Sequence, residues 1–511
     1  MKKTNSKNQF WGVGENKNFG KVAIEYASGK DVILDQHFIQ FECLVNEAHQ
    51  IMLYKVGLMP KDQTIKIIKI LEEIKRIDKK GKFILKKELE DVHSNIERYI
   101  TSKLGIEIGG NLRLGIARND QVYTDTRMFL REKIISIGNL IIDLINNLNV
   151  VAKKHTNTIM PGYTHSRVSQ TITYAHWLTA KSYHFLDDLN NLLYDYQQVN
   201  LCPLGIFEMA GTHLVIDRKM TAKLLGFDGI LKNSLYAANT RGEIETKILA
   251  DLSIMAMHIK RTMQEIILWS THEFGFVQID DLYTTGGTAQ PNLKNPDTLE
   301  IIRANCARIY GKFLETLITM DGLLSGYNRD TQQTKAILFE SLEIIETTLP
   351  VFTGILTSLK INEEVMLKGA EINFPTAPDL SVQIAIKGRI SFREAFLVVK
   401  ALIKEGHLKN KISELTPELI LKISKEKLGK HIVLTQKEID EVATPKSRVF
   451  ACKSEGGPAP ESVKKMIEDI SKISQQKKKE IEMKKEKIKQ ALKKLTNEVQ
   501  NLIYIKSKLP L

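Results

Sequence analysis

The sequence predicts an all-α protein built on one long central helical bundle with smaller helical domains at either end. Three observations carry that expectation. Five segments of about 25–35 residues hold apolar side chains at three- and four-residue spacing, far longer than the usual helix of about 11–12 residues. Helices of that length must pack lengthwise against partners. Strand signals are sparse, and three polar, glycine-bearing stretches interrupt the periodicity, each beside a long segment.

In chain order, residues 1–30 read as irregular. A helix is expected over Asp31–Val56, where Phe38, Phe41, Leu44, Ala48 and Met52 recur, and another over Lys61–Lys75. In the segment beginning at Glu88, Val92, Ile96 and Ile100 form a buried side with His93 beside it. The five long segments are Asp120–Lys153, Gln170–Asn200, Glu243–Phe274, Leu299–Ser325 and Ala336–Ile361. Shorter helices follow at Asp379–Ile386, Ser391–Gly406 and Thr416–Lys427. This pattern divides the chain at 1–115, 116–367, 368–460 and 461–511, the last piece being a Lys-rich tail beyond Gly456-Gly-Pro-Ala-Pro. In the tail, Ile488, Leu492, Leu495, Val499 and Leu502 alternate four and three residues apart. That is either a short coiled-coil seam or an amphipathic helix docked on its own chain, and in both cases dispensable for the core.

The net charge of +13 is concentrated. From Val463 onward 14 Lys stand against 6 acidic residues, so the tail holds +8 of the excess and the body is only mildly basic. No nucleic-acid-binding motif appears in the body, which makes nucleic acid an unlikely partner. No uncharged apolar run suggests a membrane span, and Met1-Lys-Lys leads into Gln9-Phe-Trp-Gly rather than an apolar signal region. Cys43, Cys202, Cys306 and Cys452 are isolated, without metal-ligand spacing, as expected of a reduced cytoplasmic protein.

The three interrupting stretches carry the chemistry. Gly109–Val122 holds Arg118, which suits a carboxylate, and Asn119 beside it. Met160–Arg167 holds Thr164 and His165, the latter after a Pro-Gly turn and suited to acid–base work near neutral pH. Taken alone, the pair is also what a structural histidine presents. Tyr283–Glu300 contains two glycines and two prolines over Gly286–Pro296, so it reads as a loop. Its Lys294 and Asn295 lie beside a helix N-terminus, a place for carboxylates, and Glu300 is suited to orient a histidine.

The third stretch resembles the fumarase/aspartase superfamily signature Gly-Ser-Ser-x-Met-Pro-x-Lys-x-Asn-Pro at Gly286, Pro291, Asn295 and Pro296. Over about residues 9–460 the chain resembles the argininosuccinate lyase family. The matches include Trp11-Gly, Asp91-Val-His-Ser-Asn, Ala117-Arg-Asn-Asp-Gln-Val, Met160-Pro-Gly-Tyr-Thr-His, Glu273-Phe-Gly-Phe and Tyr327-Asn-Arg-Asp-Thr-Gln-Gln-Thr-Lys. The resemblance implies a fumarase/aspartase-like fold and a cofactor-free, metal-free β-elimination of an N-substituted succinate to fumarate and an amine. It also implies a homotetramer in which three subunits share each site. Carried over by position, Arg118, Asn119, Thr164 and Asn295 hold the succinyl part, and Tyr327, Gln332 and Lys335 hold the amine part. His165 moves protons with Glu300 behind it, and His93 lies close by.

The chain departs from the family where charge and protons move. Gly287 and Thr288 replace the two serines, the first of which is the usual base; Gln290 replaces Met and Leu293 replaces Lys. Arg113, Ala117, Ser166-Arg167 and Phe396 are further departures. Thr288 and Lys294, one position along from the missing groups, are the candidate substitutes. Three readings follow from these features. They are an argininosuccinate-lyase-type enzyme, a lyase for another N-substituted succinate, and a non-catalytic scaffold.

Overall fold

The computed structural model describes residues 21–28, 30–405 and 412–504; Trp11-Gly12 and the start of the chain lie outside the described residues. Helices longer than ten residues are labelled α1–α12. They are α1 Ile39–Lys55, α2 Lys61–Asp78, α3 Val92–Leu104, α4 Arg118–Lys154, α5 Tyr174–Val199 and α6 Glu243–Trp269. Then come α7 Asp297–Met320, α8 Thr334–Ser358, α9 Ala377–Gly388, α10 Phe392–Lys404, α11 Pro417–Leu428 and α12 Pro460–Tyr504.

The five long segments are α4–α8, each within a few residues of its expected bounds at most ends. Their apolar stripes meet in one cluster: Leu130, Ile137 and Leu144 of α4 pack with Phe185 and Leu189 of α5, Leu252 and Ile259 of α6, and Ile345 and Phe352 of α8. Buried aliphatic and aromatic side chains of this kind each contribute about 1.5–3 kcal/mol, so the bundle dominates the stability of the chain. Among the described residues α4 alone is long and apolar enough to cross a membrane, but 56% of that window is buried inside the protein. Helices α9–α11 have a hydrophobic cluster of their own, including Leu380, Ile384, Val398, Leu402 and Ile420.

Three expectations change. Residues 21–28, read as irregular, form a short helix. The segment Gln170–Thr173, read as the start of a helix, is the end of strand β2 (Arg167–Thr173), which pairs antiparallel with β1 (Ile159–Thr164). The β-branched residues Val168, Thr171, Ile172 and Thr173 favour the strand, and Thr173 then caps α5 by accepting from the His176 N–H at 3.0 Å.

The largest correction is the tail. Val463, Ile467, Ile470, Ile481 and Ile488 belong to the main cluster. Leu495, Val499 and Leu502 pack in a second cluster with Val45 and Ile51 of α1, Ile65 and Ile68 of α2, and Leu225. The seam residues therefore find their partner within the chain. Gly138 of α4 marks the fit, since a Cβ there would lie 2.8 Å from the Ile481 side chain. A helix counted as a removable appendage because it is rich in Lys is thus a strap across the body, its Lys face outward and its one-in-three-or-four apolar residues inward.

Candidate active site

The start of α4 is fixed by one buried carboxylate. Asp120 accepts from the Ala117 N–H with one oxygen, and from the Gly205 and Phe207 N–H groups with the other, all at 2.9 Å. Burial pushes its pKa up to about 7 despite these donors. The clamp fixes the backbone at the two preceding residues, Arg118 and Asn119. Opposite them, Asp91 caps α3 by accepting from the Ser94 N–H at 2.7 Å and turns its second oxygen to Arg118 Nη1 at 2.9 Å. Glu90 adds a longer contact to Arg118 at 3.4 Å. Burial opposes the charge on Arg118, but Asp91 and Glu90 outweigh it and raise its pKa.

His93 lies on the first turn of α3, fully enclosed, with Nδ1 3.0 Å from Glu42 Oε2. Burial disfavours the imidazolium, yet Glu42, with help from Asp91 and Asp35, raises its pKa. Lys335, in the first turn of α8, is also buried and bonds Asp31 at 2.7 Å and Asp35 at 2.6 Å. Gln332 donates to the Ala27 carbonyl at 2.8 Å. Tyr327 is half exposed, and its ring faces the guanidinium of Arg241 at 5.6 Å. These groups line a single cavity of about 150 Å³. Six expected site residues, His93, Arg118, Asn119, Tyr327, Gln332 and Lys335, thus converge from positions 93 to 335.

The other expected residues lie elsewhere on the chain. Thr164 ends β1 and pairs with Arg167, leaving His165-Ser166 as the two-residue turn of the hairpin. Both turn residues have positive φ, 50° and 57°, the geometry hairpin turns favour but one that costs a side-chain-bearing residue of the order of 1 kcal/mol. His165 is thereby held at an exposed tip. The third stretch closes as a short hairpin: Thr285–Gly286 pairs with Lys294–Asn295, so the loop carries a two-residue ladder where none was expected. Thr285 bonds Asp297, and Lys294 pairs with Asp281, which turns its ammonium to the base of its own hairpin. Thr288 is exposed at the tip, Asn295 is half-buried, and Glu300 is exposed in the first turn of α7, with Arg303 at 3.6 Å. Among the described residues no hydrogen bond or ion pair joins His165 to Glu300, or either of them to the cavity.

Gly287 has a local cause. A Cβ there would lie 2.6 Å from the Gln290 carbonyl oxygen, which also accepts from the Leu293 N–H at 3.3 Å. The turn over 290–293 thus occupies the space that a side chain at 287 needs.

The comparisons with known proteins agree with this geometry. Residues 25–311 match the family model described as Lyase. The argininosuccinate lyase of Acetivibrio thermocellus is 35% identical over 461 residues, which is 90% of this chain and 98% of that protein. That of Desulforamulus reducens is 36% identical over 460 residues, 90% of this chain and 97% of its own length. The chain belongs to the argininosuccinate lyase family. As a member it is a carbon–nitrogen lyase acting on a small molecule. The same fold is seen in EDDS lyase in complex with formate, with a TM-score of 0.82 at 24% identity over 93% of this chain and 94% of that one. It is seen again in the class II fumarase from Schistosoma mansoni, with a TM-score of 0.67 at 15% identity over 86% of this chain and 97% of that one.

Sequence reasoning missed Asp31, Asp35, Glu90, Arg241 and Arg329, all of which line the cavity of this argininosuccinate lyase relative. A signal was present for some of them. Asp31 and Asp35 stand four apart in a predicted helix and so share a face, and Arg241-Gly242 sits in the polar break before α6.

Proposed function

We propose that this enzyme cleaves argininosuccinate to fumarate and arginine by β-elimination. Family membership supports the reaction type, and the convergence of six expected residues on one cavity is the observation that carries it to this site. In the reaction a proton leaves the carbon beside one carboxylate, its electron pair forms the double bond of fumarate, and the carbon–nitrogen bond breaks as the amine takes up a proton. The carboxylate beside the reacting carbon gains charge, so Arg118 and Asn119, with Asn295 and Thr164 brought from elsewhere, lower the barrier by holding it. Tyr327, Gln332 and Lys335 hold the amine half. His165 moves the proton, oriented by Glu300. With no side chain at Gly287, Thr288 is the loop hydroxyl left to serve beside it.

Those groups come together only if copies of the chain assemble, so the reading includes a homotetramer in the cytoplasm. Support comes from α7, which leaves Ile301, Leu314, Leu317 and Ile318 exposed, and from Ile254, Met257 and Leu268 exposed on neighbouring α6. Apolar rows of that kind suit helix packing between copies. The second reading, a different amine half, is favoured by the two carboxylates that neutralise Lys335. The test is fumarate release, followed by absorbance, from purified protein given argininosuccinate. Turnover supports the first reading. Fumarate binding without turnover of argininosuccinate supports the second.

A further inference from the structure

Behind the cavity three helices converge on one cluster. Glu42 of α1, His93 of α3 and Asp125 of α4 are all buried, and one ligand atom from each lies within 4.8 Å of the other two. Asn46 and Gln121 donate to Glu42 Oε1 at 2.7 and 2.6 Å, which leaves Oε2 facing His93 Nδ1 at 3.0 Å. Asp125 is the group that this ion pair does not need. It is wholly buried, and among the described residues no N–H or hydroxyl group donates to either of its oxygens. It meets the Glu42 carboxylate instead.

The neighbouring cations are engaged elsewhere, Lys335 with Asp31 and Asp35, and Arg118 with Asp91 and Glu90. Burial, then Glu42 and Asp35, push the Asp125 pKa well above the usual carboxylate range, and Lys335 offsets them only in part. With His93 as an imidazolium, the cluster sets a single positive charge against two carboxylates. Burial of that imbalance is costly, so either a proton or a metal ion joins the pair. The donor set fits the metal. One imidazole and two carboxylates suit a divalent transition ion such as Zn²⁺, whose ligands lie about 2.0–2.2 Å away and so about 3–4 Å from one another. Asn46 and Gln121 are the outer hydrogen bonds that orient a metal-bound carboxylate. His93 also lines the acidic cavity, which gives an ion its way in. We propose that Glu42, His93 and Asp125 bind one divalent transition cation, tying α1, α3 and α4 together behind the cavity. On binding, the imidazolium proton and the proton shared by the two carboxyl groups leave to solvent, and the dication takes their place, so charge balances. The ion takes no part in the elimination.

The test uses the full-length protein, stripped with a chelator that is then dialysed away, and titrated with Zn²⁺ alone in a calorimeter. Titration in two buffers of different protonation enthalpy counts the protons released. Wild type is expected to bind one ion per chain, release about two protons at about pH 6 and melt several degrees higher with the ion than without. Asp125→Asn keeps the shape and removes a ligand charge, and should weaken binding at least about 10-fold and abolish the melting shift. Glu42→Gln should do the same, and it carries the comparison if a metal-free melt shows Asp125→Asn to be misfolded. Wild type that takes up no Zn²⁺ shows that the carboxyl groups only share a proton, and overturns the proposal. So does Zn²⁺ that binds both variants as tightly as wild type, or binds without releasing protons.

Discussion

The cavity and the hairpin tips differ in how much of each a single chain completes. At the cavity, Arg118, His93 and Lys335 are fixed by carboxylates from α3, α1 and the helix before it, with contacts of 2.6–3.0 Å. The proposed binding half is therefore assembled and electrostatically settled before any substrate arrives. At the tips, Thr164-His165 and Thr288 project from exposed turns, and among the described residues no hydrogen bond or ion pair joins Glu300 to His165 or to the cavity. The proposed proton-transferring half is a set of parts. The lesson is that binding and chemistry are separable here. Changes to the cavity should act within one chain, and changes to the tips should act through assembly.

The strongest way to break the comparison is to remove α12. Truncation after Glu461 removes eight buried aliphatic side chains of α12 that pack against α1, α2, α4 and α5, each worth about 1.5–3 kcal/mol, against a total stability of about 5–15 kcal/mol. The expected outcome is insoluble protein or a cooperative melt lost altogether, seen by circular dichroism and sedimentation. A truncated protein that melts within a few degrees of wild type contradicts the strap.

His165→Asn sharpens the other side. Turnover of argininosuccinate should fall by at least about 10²-fold while fumarate affinity and melting temperature hold, because the residue sits on an exposed turn that supports nothing else. Loss of fumarate binding to the same extent places His165 in the binding half and erases the distinction.

A pH experiment probes the cavity. Although burial opposes its ionisation, Asp91 is held down to about 2 by His93, Arg118, Arg113 and the Ser94 N–H. A carboxylate with a depressed native pKa stabilises the fold fully above its unfolded value near 4. That stability, about 2 kcal/mol, is lost as pH falls from about 4 to about 2. Asp91→Asn keeps a capping side chain on α3. The difference in stability between wild type and variant should therefore shrink over that window in urea titrations, and a gap constant with pH removes the ion pair from the account.

The smallest expected effect is at Gly287. From sequence, Gly287→Ser with Leu293→Lys promises a gain of about 10²-fold by restoring a base. The Gln290 carbonyl fills the space for that side chain, so the expected change in turnover for Gly287→Ser is no gain. A large gain shows that the loop rearranges in the working enzyme.

These corrections show what was legible in the sequence and what was not. The long helices were legible because a 3.6-residue period sustained over more than two dozen residues has one structural meaning. Asp120 to Lys153 and Glu243 onward needed no other information. The strap was not, because Lys464–Lys494 scores as solvated by composition while Ile470, Ile481 and Leu495 do the packing. That Arg118, Lys335 and Gln332 meet in one cavity was legible through the order of their motifs. Asp31, Asp35 and Arg241 were not, because their meaning lies in which charges the fold brings into one cavity. Sequence spacing does not report that.

The central claim, that a complete site joins the cavity of one copy to the tips of others, is tested most directly by mixing two inactive proteins. Lys335→Met disables the cavity and His165→Asn disables the hairpin tip. Each alone should be unable to turn over argininosuccinate. After the two are dissociated and reassembled together, some sites pair an intact cavity with an intact tip, and a measurable fraction of wild-type fumarate release should return. Mixed oligomers verified by mass that stay as inactive as the parents contradict the claim.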